Sequence, residues 1–380
     1  MKKPWKMLST TAVFATAFGV SVSAVNAAED EKAQYLIGFD DITMATEFVD
    51  EHEVSEDQLV ATSSGEDIDI DVLHEFEHIP VLSAELEKED VTELKENDAI
   101  AYIEEDIEVT ISQTIPWGID RVNAPAANAS GVTGSGVSVA VLDTGISTHE
   151  DLNIQGGESF VPGEPGIDDG NGHGTHVAGT IAALDNDTGV VGVSPDADLY
   201  AVKVLGSDGS GNISSIAQGL QWAGENGMDV ANMSLGSPLP SPTLEQAVDE
   251  ATDRGVLVVA ASGNSGASSL SYPAAYDNAM AVGATTQSDA RASFSQYGAG
   301  LDLVAPGVGV ESTYPGGGYR SLDGTSMATP HVAGVAALVL EQNPSWSPQQ
   351  VRSHINDTAT DLGDTNQFGS GLVDAESATD

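Results

Sequence analysis

Val137-Ser138-Val139-Ala140-Val141-Leu142 is followed at once by Asp143-Thr144-Gly145. The run is short, rich in Val and apolar at both alternating sets of positions apart from Ser138. A strand apolar on both faces must be covered on both, as parallel strands between helical layers are. The same character returns at Leu199–Leu205, Val230–Leu235, Val256–Ala261 and Met280–Ala284. Helical spacing marks His173–Leu184, Ile213–Asn226, Thr243–Arg254 and Ser326–Gln342. In the second of these, Ile213, Ile216, Ala217, Leu220 and Ala223 fall on one face. Alternating strands and helices predict a doubly wound α/β fold, a mostly parallel sheet sandwiched by helices. Its functional residues belong at the carboxyl ends of strands. Asp143 occupies such an end.

The chain before this region has another character. Residues 28–111 are rich in Asp and Glu. Tyr35–Phe39 reads as a strand, Ile42–His52 as a helix with Asp41 at its cap. Ile68–Val72 alternates strictly, as a half-buried strand does. Val91 and Leu94 mark a second helix, and Ile100–Val109 a last strand. This βαββαβ-like order predicts a small α+β, ferredoxin-like domain with one open sheet. It holds no Gly-rich phosphate loop and no clustered catalytic set. Met1–Ala27 has Lys2, Lys3 and Lys6, then an apolar stretch from Met7 to about Val22, then the small residues of Val25-Asn26-Ala27. That is the pattern of a removable secretory signal. Ser and Thr interrupt the stretch, and it is short for spanning ~30 Å of hydrocarbon. The expected divisions are 1–27, 28–111 and 112–380, in an exported protein.

Composition narrows the function. Of 380 residues, 40% are hydrophobic, enough for a large core. With no Cys, a disulfide scaffold, a Cys-ligated metal site and a thiol nucleophile are excluded. The 59 acidic and 12 basic residues give a net charge of −47, which argues against nucleic acid or an anionic membrane as partner.

Four residues stand out. Asp143 ends a strand and reads equally as a cap or turn residue. His173, in Asn171-Gly172-His173-Gly174-Thr175-His176, begins a helix beside two glycines that leave room for a second chain. The three-residue spacing of His173 and His176 invites a metal reading, but there is no zinc-protease Glu between them and no third ligand. Ser326, in Gly324-Thr325-Ser326-Met327-Ala328-Thr329-Pro330-His331, stands at a helix N-terminus, whose partial positive charge favours a developing anion. An ordinary Ser cap is the plain alternative. Pro330 is compatible with the first turn. Asn264, after Ala261-Ser262-Gly263, is either a turn Asn or a hydrogen-bond donor into a cleft. Together the four supply an orienting carboxylate, a base, a nucleophile and an oxyanion donor, the set for acyl transfer.

Val141–Gly145, His173–Gly179 and Gly324–His331 resemble the signature blocks of the subtilisin family of serine proteases, in that family's order Asp, His, Ser. The resemblance covers 112–380, from Ile115-Pro116-Trp117-Gly118-Ile119 onward, and is similar to secreted Bacillus-type alkaline subtilisins. It implies that Ser326 attacks a peptide carbonyl, His173 transfers the proton and Asp143 holds the imidazole. It implies an oxyanion site of Asn264 and the Ser326 N–H. Gly209-Ser210-Gly211 and Ser234-Leu235-Gly236, with Ala261 and Gly263, would bind the substrate. Residues 28–111 would be an inhibitory propeptide that the enzyme removes itself, at Ile111–Ser112. It also implies calcium, held by Gln113, Asp151, Leu184, Asn186, Thr188 and Val190, and a weaker second cation at Ala274, Tyr276, Ala279 and Asp302. The expected product is a secreted, monomeric, broad-specificity endopeptidase acting on polypeptides. A serine esterase and a non-catalytic binding domain are the rival functions on the same scaffold. The acidity departs from the alkaline members and reads as solubility or as adaptation to salt.

Overall fold

The computed structural model describes residues 32–51, 59–61, 68–107 and 113–380. The expected signal segment and the Ile111–Ser112 bond lie outside the described residues. The chain falls into two units that divide between residues 109 and 110.

The first unit runs β1 (Ala33–Phe39), α1 (Ile42–Glu51), β2 (Leu59–Ala61), β3 (Ile68–Glu75), β4 (Val81–Leu86), α2 (Lys88–Leu94) and β5 (Ile100–Glu105). Asp41 Oδ1 accepts the Thr43 and Met44 N–H groups at 2.9 and 3.1 Å, which starts α1 where the sequence places it. The sheet order is β2-β3-β4-β1-β5, antiparallel throughout. Without the short edge strand β2 this is the ferredoxin-like order. Ile37, Phe39, Phe48, Leu82 and Leu86 form the core. Three details differ from the sequence reading. The short β2 is not among the expected strands, and neither is β4, because Val81-Leu82-Ser83-Ala84-Glu85-Leu86 is buried on both faces and does not alternate. β5 ends at Glu105, ahead of residues 106 and 107, and the last two residues of the expected strand, 108 and 109, lie outside the described residues.

The second unit opens with α3 (Trp117–Arg121) and α4 (Ala124–Ala129), followed by β6 (Ser138–Asp143), β7 (Ile154–Ser159), α5 (His173–Ala182) and β8 (Asp198–Lys203). Then come α6 (Ile213–Glu225), β9 (Val230–Met233), α7 (Pro242–Asp253), β10 (Leu257–Ala261), β11 (Ala279–Thr285) and β12 (Leu303–Pro306). A hairpin of β13 (Val310–Tyr314) and β14 (Gly318–Leu322) leads to α8 (Thr325–Gln342), α9 (Pro348–Asp357), α10 (Thr365–Phe368) and α11 (Ala375–Thr379). Seven parallel strands form one sheet in the order β12-β11-β10-β9-β6-β8-β7. From β6 the chain goes out to the β7 edge, returns through β8 and resumes on the other side of β6 at β9. The order therefore reverses beside β6, and a crevice opens there at the carboxyl ends of the strands.

Two cores flank the sheet. One joins Val139, Val141 and Val259 to Val177 and Ile181 of α5 and Val335 and Val339 of α8. The other joins Ala140, Leu142 and Val258 to Leu220 of α6 and Val248 of α7. α8 is buried from Met327 to Leu340 on all sides, as befits a helix apolar all round. Pro330 is its sixth residue, not a first-turn residue, so that expectation is corrected. Proline in that place leaves the Ser326 carbonyl without its helical N–H donor. The Ser234 hydroxyl donates to it instead, at 2.8 Å.

Candidate active site

β6 delivers Asp143, fully buried, to the crevice. α5 starts at His173, directly after Gly172, whose φ of 103° is in the left-handed region. The two elements meet through Gly174: a Cβ there would lie 2.1 Å from the Gly145 carbonyl. The room left by the glycine is filled by the protein's own strand end. The His173 Nδ1–H donates to Asp143 Oδ1 at 2.7 Å, and the Thr144 N–H donates to the same oxygen at 2.8 Å. This bond leaves Nε2 as the basic nitrogen. Burial alone would lower the basicity of the ring. The Asp143 carboxylate and, more weakly, Asp169 outweigh it and hold His173 above its ordinary value.

His176 is not a partner of His173. Its ring is fully buried, and Nε2–H donates to the Val310 and Arg320 carbonyls, both at 2.9 Å. Among the described residues no three His, Cys, Asp or Glu side chains gather as a metal site. The metal alternative for the two histidines is set aside on that packing.

Ser326 is the second residue of α8, half-buried, with Gly324 at the cap position. Its hydroxyl donates to the Ser234 carbonyl at 3.0 Å, and no hydrogen bond joins it to His173. Serine 234 and serine 326 thus hold one another, hydroxyl to carbonyl in both directions. Asn264 follows β10 and is exposed. Its Oδ1 accepts the Thr325 N–H and hydroxyl, each at 2.9 Å, which fixes the amide and leaves Nδ2 free to donate.

A cleft of about 560 Å³ is lined by His173, by Gly209, Ser210 and Gly211, and by Ser234, Leu235 and Gly236. A smaller cavity of about 140 Å³ is lined by Leu235, Gly236, Ala261, Gly263, Asn264 and Ser326. Every substrate residue expected from the sequence borders one of the two. Buried Asp143 alone of the catalytic set lines neither and stands behind His173.

The Subtilase family model matches residues 134–371. The chain belongs to the subtilase family. It is 66% identical over the full length of both chains to an alkaline protease of Alkalihalobacillus alcalophilus, and likewise to one of Shouchella clausii. Subtilisin BL of Lederbergia lenta is 75% identical over 268 residues, which is 70% of this chain and all of that protein. With these relatives the protein is a serine endopeptidase of subtilisin type, acting on polypeptides.

The loop expected to hold calcium in this subtilase is shaped by Asp187 and Gly189, at φ 67° and 62°. Gln113 Nε2 donates to the carbonyls of both Leu184 and Val190, at 2.6 and 3.2 Å, so the two oxygens converge on one point. Asp151 is fully buried beside them. Its Oδ2 accepts the Val190 N–H, and its Oδ1 has no partner among the described residues. Burial raises the Asp151 pKa, and the Val190 N–H offsets this only partly. An orphaned carboxylate oxygen beside converging carbonyls fits a hard cation. Asn186 Oδ1 is engaged by the Thr188 N–H and hydroxyl, at 3.1 and 2.9 Å.

At the second expected cation site, Asp302 is already paired. Arg352 holds that carboxylate through Nε and Nη2 at 2.7 and 2.8 Å, while the Ala281 N–H and Asn356 Nδ2 take further contacts at 2.7 and 3.0 Å. A bidentate guanidinium already neutralises it. The Tyr276 carbonyl accepts the Ala279 N–H at 3.1 Å within its own turn, beside Ala274.

Sequence reasoning passed over Asp169, Thr144 and Lys203. Asp169 sits in Asp168-Asp169-Gly170-Asn171-Gly172, which reads as a turn, and nothing local separates it from Asp168. Lys203 is 1% exposed, donates to the Thr144 carbonyl at 2.5 Å and pairs with Glu164 at 3.1 Å. A lone cation inside the run Leu199–Leu205 was the available signal.

Proposed function

We propose that this subtilase cleaves peptide bonds through Asp143, His173 and Ser326. The 2.7 Å bond from His173 to a fully buried Asp143, beside a cleft whose Leu235 and Gly236 also line the smaller cavity that holds Ser326, carries the reading. The Ser326 hydroxyl leaves the Ser234 carbonyl, gives its proton to His173 Nε2 and attacks the scissile carbonyl. Asp143 keeps the ring in the productive tautomer and stabilises the imidazolium. Negative charge on the carbonyl oxygen is met by Asn264 Nδ2 and the Ser326 N–H at the start of α8. His173 then protonates the leaving amine, and water repeats the sequence on the acyl-enzyme. Gly209–Gly211 and Ser234–Gly236 pair with the substrate backbone, so main-chain bonds dominate and specificity is broad. The 140 Å³ cavity, bordered by Gly236, Ala261 and Gly263 and without a charged side chain, takes an uncharged residue before the cut.

The same reading makes residues 1–27 a signal, residues 28–111 an inhibitory propeptide and the product a secreted monomer, in line with the full-length match to alkaline proteases. Calcium would be held by Asp151, the Leu184, Thr188 and Val190 carbonyls, and the side-chain oxygens of Asn186 and Gln113. It would neutralise the buried carboxylate and tie the segment after the cut to the loop. The Gln113 N–H already donates to the Asp187 carbonyl, and the Thr114 N–H to that of Gly189. A looser cation site is proposed at the Ala274, Tyr276 and Ala279 carbonyls with Asp302, whose carboxylate Arg352 also holds.

Casein and a short-chain ester, each assayed before and after a serine-directed inhibitor, test this. Inhibitor-sensitive casein cleavage is expected. Ester hydrolysis alone points to an esterase, and neither to a binding domain. Ser326→Ala, expressed without other proteases, should leave the precursor uncut; a normal mature N-terminus in that variant would refute self-processing.

A further inference from the structure

We propose that Asp169 is a positioning residue of this protease, clamping the strand end that carries Asp143 to the helix start that carries His173. The inference rests on the proposed triad. Asp169 is only 4% exposed, yet both of its oxygens are fully used. Oδ1 accepts the Thr144 hydroxyl at 2.8 Å and the Asn171 and Gly172 N–H groups at 2.9 and 2.8 Å. Oδ2 accepts the Thr175 N–H and hydroxyl at 2.9 and 2.7 Å. Burial would raise its pKa, but these bonds outweigh it and hold the carboxyl below its usual range, so it stays charged.

Thr144 is the bridge. Its N–H binds Asp143, its hydroxyl accepts the Gly174 N–H at 2.9 Å while donating to Asp169, and its carbonyl accepts Lys203. One side chain thus joins the residue after Asp143 to the residue after His173. Asp169 also takes the Gly172 and Thr175 N–H groups at the start of α5, which helix termini otherwise leave unpaired. Its second effect is electrostatic. The charges that act on the His173 ring are Asp143 on β6 and Asp169 before α5; His176 on α5 is coupled to it, Arg320 on β14 acts on His176, and Lys203 on β8 lies behind Thr144. Asp143 and Asp169 favour the imidazolium, which is the form His173 adopts when it takes the Ser326 proton.

The base works only when neutral. With His173 raised above ~6.5, kcat/KM should climb with pH through a value above that. Asp169→Asn preserves shape, removes the charge and turns an N–H donor onto other donors. It should lower kcat on a peptide amide by about ten- to a hundred-fold, the scale of a small misplacement of reacting groups. KM should change much less, and the acidic limb should move to lower pH. Thr144→Val removes the bridge and keeps the charge, so kcat should fall with the acidic limb unmoved. Thr144→Ser should restore most of the loss. Wild-type kcat and acidic limb in Asp169→Asn would overturn the proposal, as would unchanged kcat in Thr144→Val should Asp169→Asn not fold. Ser326→Ala is the companion control: if it stays active, the triad itself has failed, whereas its inactivity beside a normal Asp169→Asn sinks only this inference.

Discussion

Two buried histidines should set the acid limit of this protease. His176 and His331 are each fully buried, and burial pushes both down to about 4. His331 Nδ1–H donates to the Met327 carbonyl at 2.9 Å, and its Nε2 has no partner among the described residues. A Cβ on Gly118 would lie 2.4 Å from that Nε2, so no acceptor has room to enter. In the unfolded chain the same rings take protons near ~6.5. Below that pH the unfolded state binds protons that the folded state refuses. Stability present above ~6.5 is therefore lost as pH falls, down to about 4. Each ring contributes about 3 kcal/mol over the window, so the pair represents a large share of a typical ~5–15 kcal/mol. His173, raised by its partners, works in the opposite sense and gains stability on the acid side of its own titration. The perturbation is His331→Gln, compared with wild type by urea unfolding between about pH 7 and 4.5. Both proteins carry a covalent serine inhibitor against autolysis, with saturating calcium and ~1 M NaCl to screen carboxylate repulsion. The variant should be less stable at neutral pH, and its stability should decline with acid less steeply, by about 1.4 kcal/mol per pH unit. Equal slopes would refute the reasoning.

Three further outcomes are expected. Asn264→Ala should lower kcat by about 10²–10³ with little change in KM, a magnitude known for subtilisin-type sites rather than worked from this geometry; single-turnover kinetics on a peptide substrate check it. Chelation should shorten the half-life on heating of the mature enzyme, because Gln113 and Asp151 then face the loop without a cation; identical inactivation in calcium and chelator would count against the site. Residues 112–380 hold 31 acidic and 6 basic residues, and Glu245, Asp249 and Asp253 repel at i, i+4 along α7 at ~0.2–0.5 kcal/mol per pair. Its melting temperature in saturating calcium should rise between about 0.05 and 2 M NaCl, and a flat or falling value leaves solubility as the reason for the charge.

Where the sequence was legible, one physical signal dominated. β6, β9, β10 and β11 are short, mostly apolar runs buried on both faces, and β8 is nearly so; a parallel sheet leaves few other homes for them. β7 was not legible, because Gly156-Gly157 breaks any apolar pattern; a Cβ on Gly157 would lie 1.9 Å from the Ala201 carbonyl. β13 and β14 alternate too weakly to stand out. The site was readable wherever its residues sit in contiguous blocks, as His173 and Ser326 do. It was hidden wherever a role depends on partners far along the chain. Asp302 reads as a cation ligand, and its pairing with Arg352, fifty positions later, shows only in the fold. Asp169 looked like a turn residue until Thr144 folded back onto it. Pro330 is tolerated inside α8 because the Ser234 hydroxyl, far back in the chain, takes the Ser326 carbonyl that the proline leaves open, and that is visible only in three dimensions.

Covalent labelling of Ser326 tests the central claim most directly. The mature protease is treated with a serine-directed fluorophosphonate, weighed intact and mapped by peptide mass, with casein hydrolysis followed in parallel. The account predicts a single adduct, on Ser326, and activity lost in proportion to it. An adduct on a different serine that abolishes activity, or full activity with Ser326 completely modified, would contradict it.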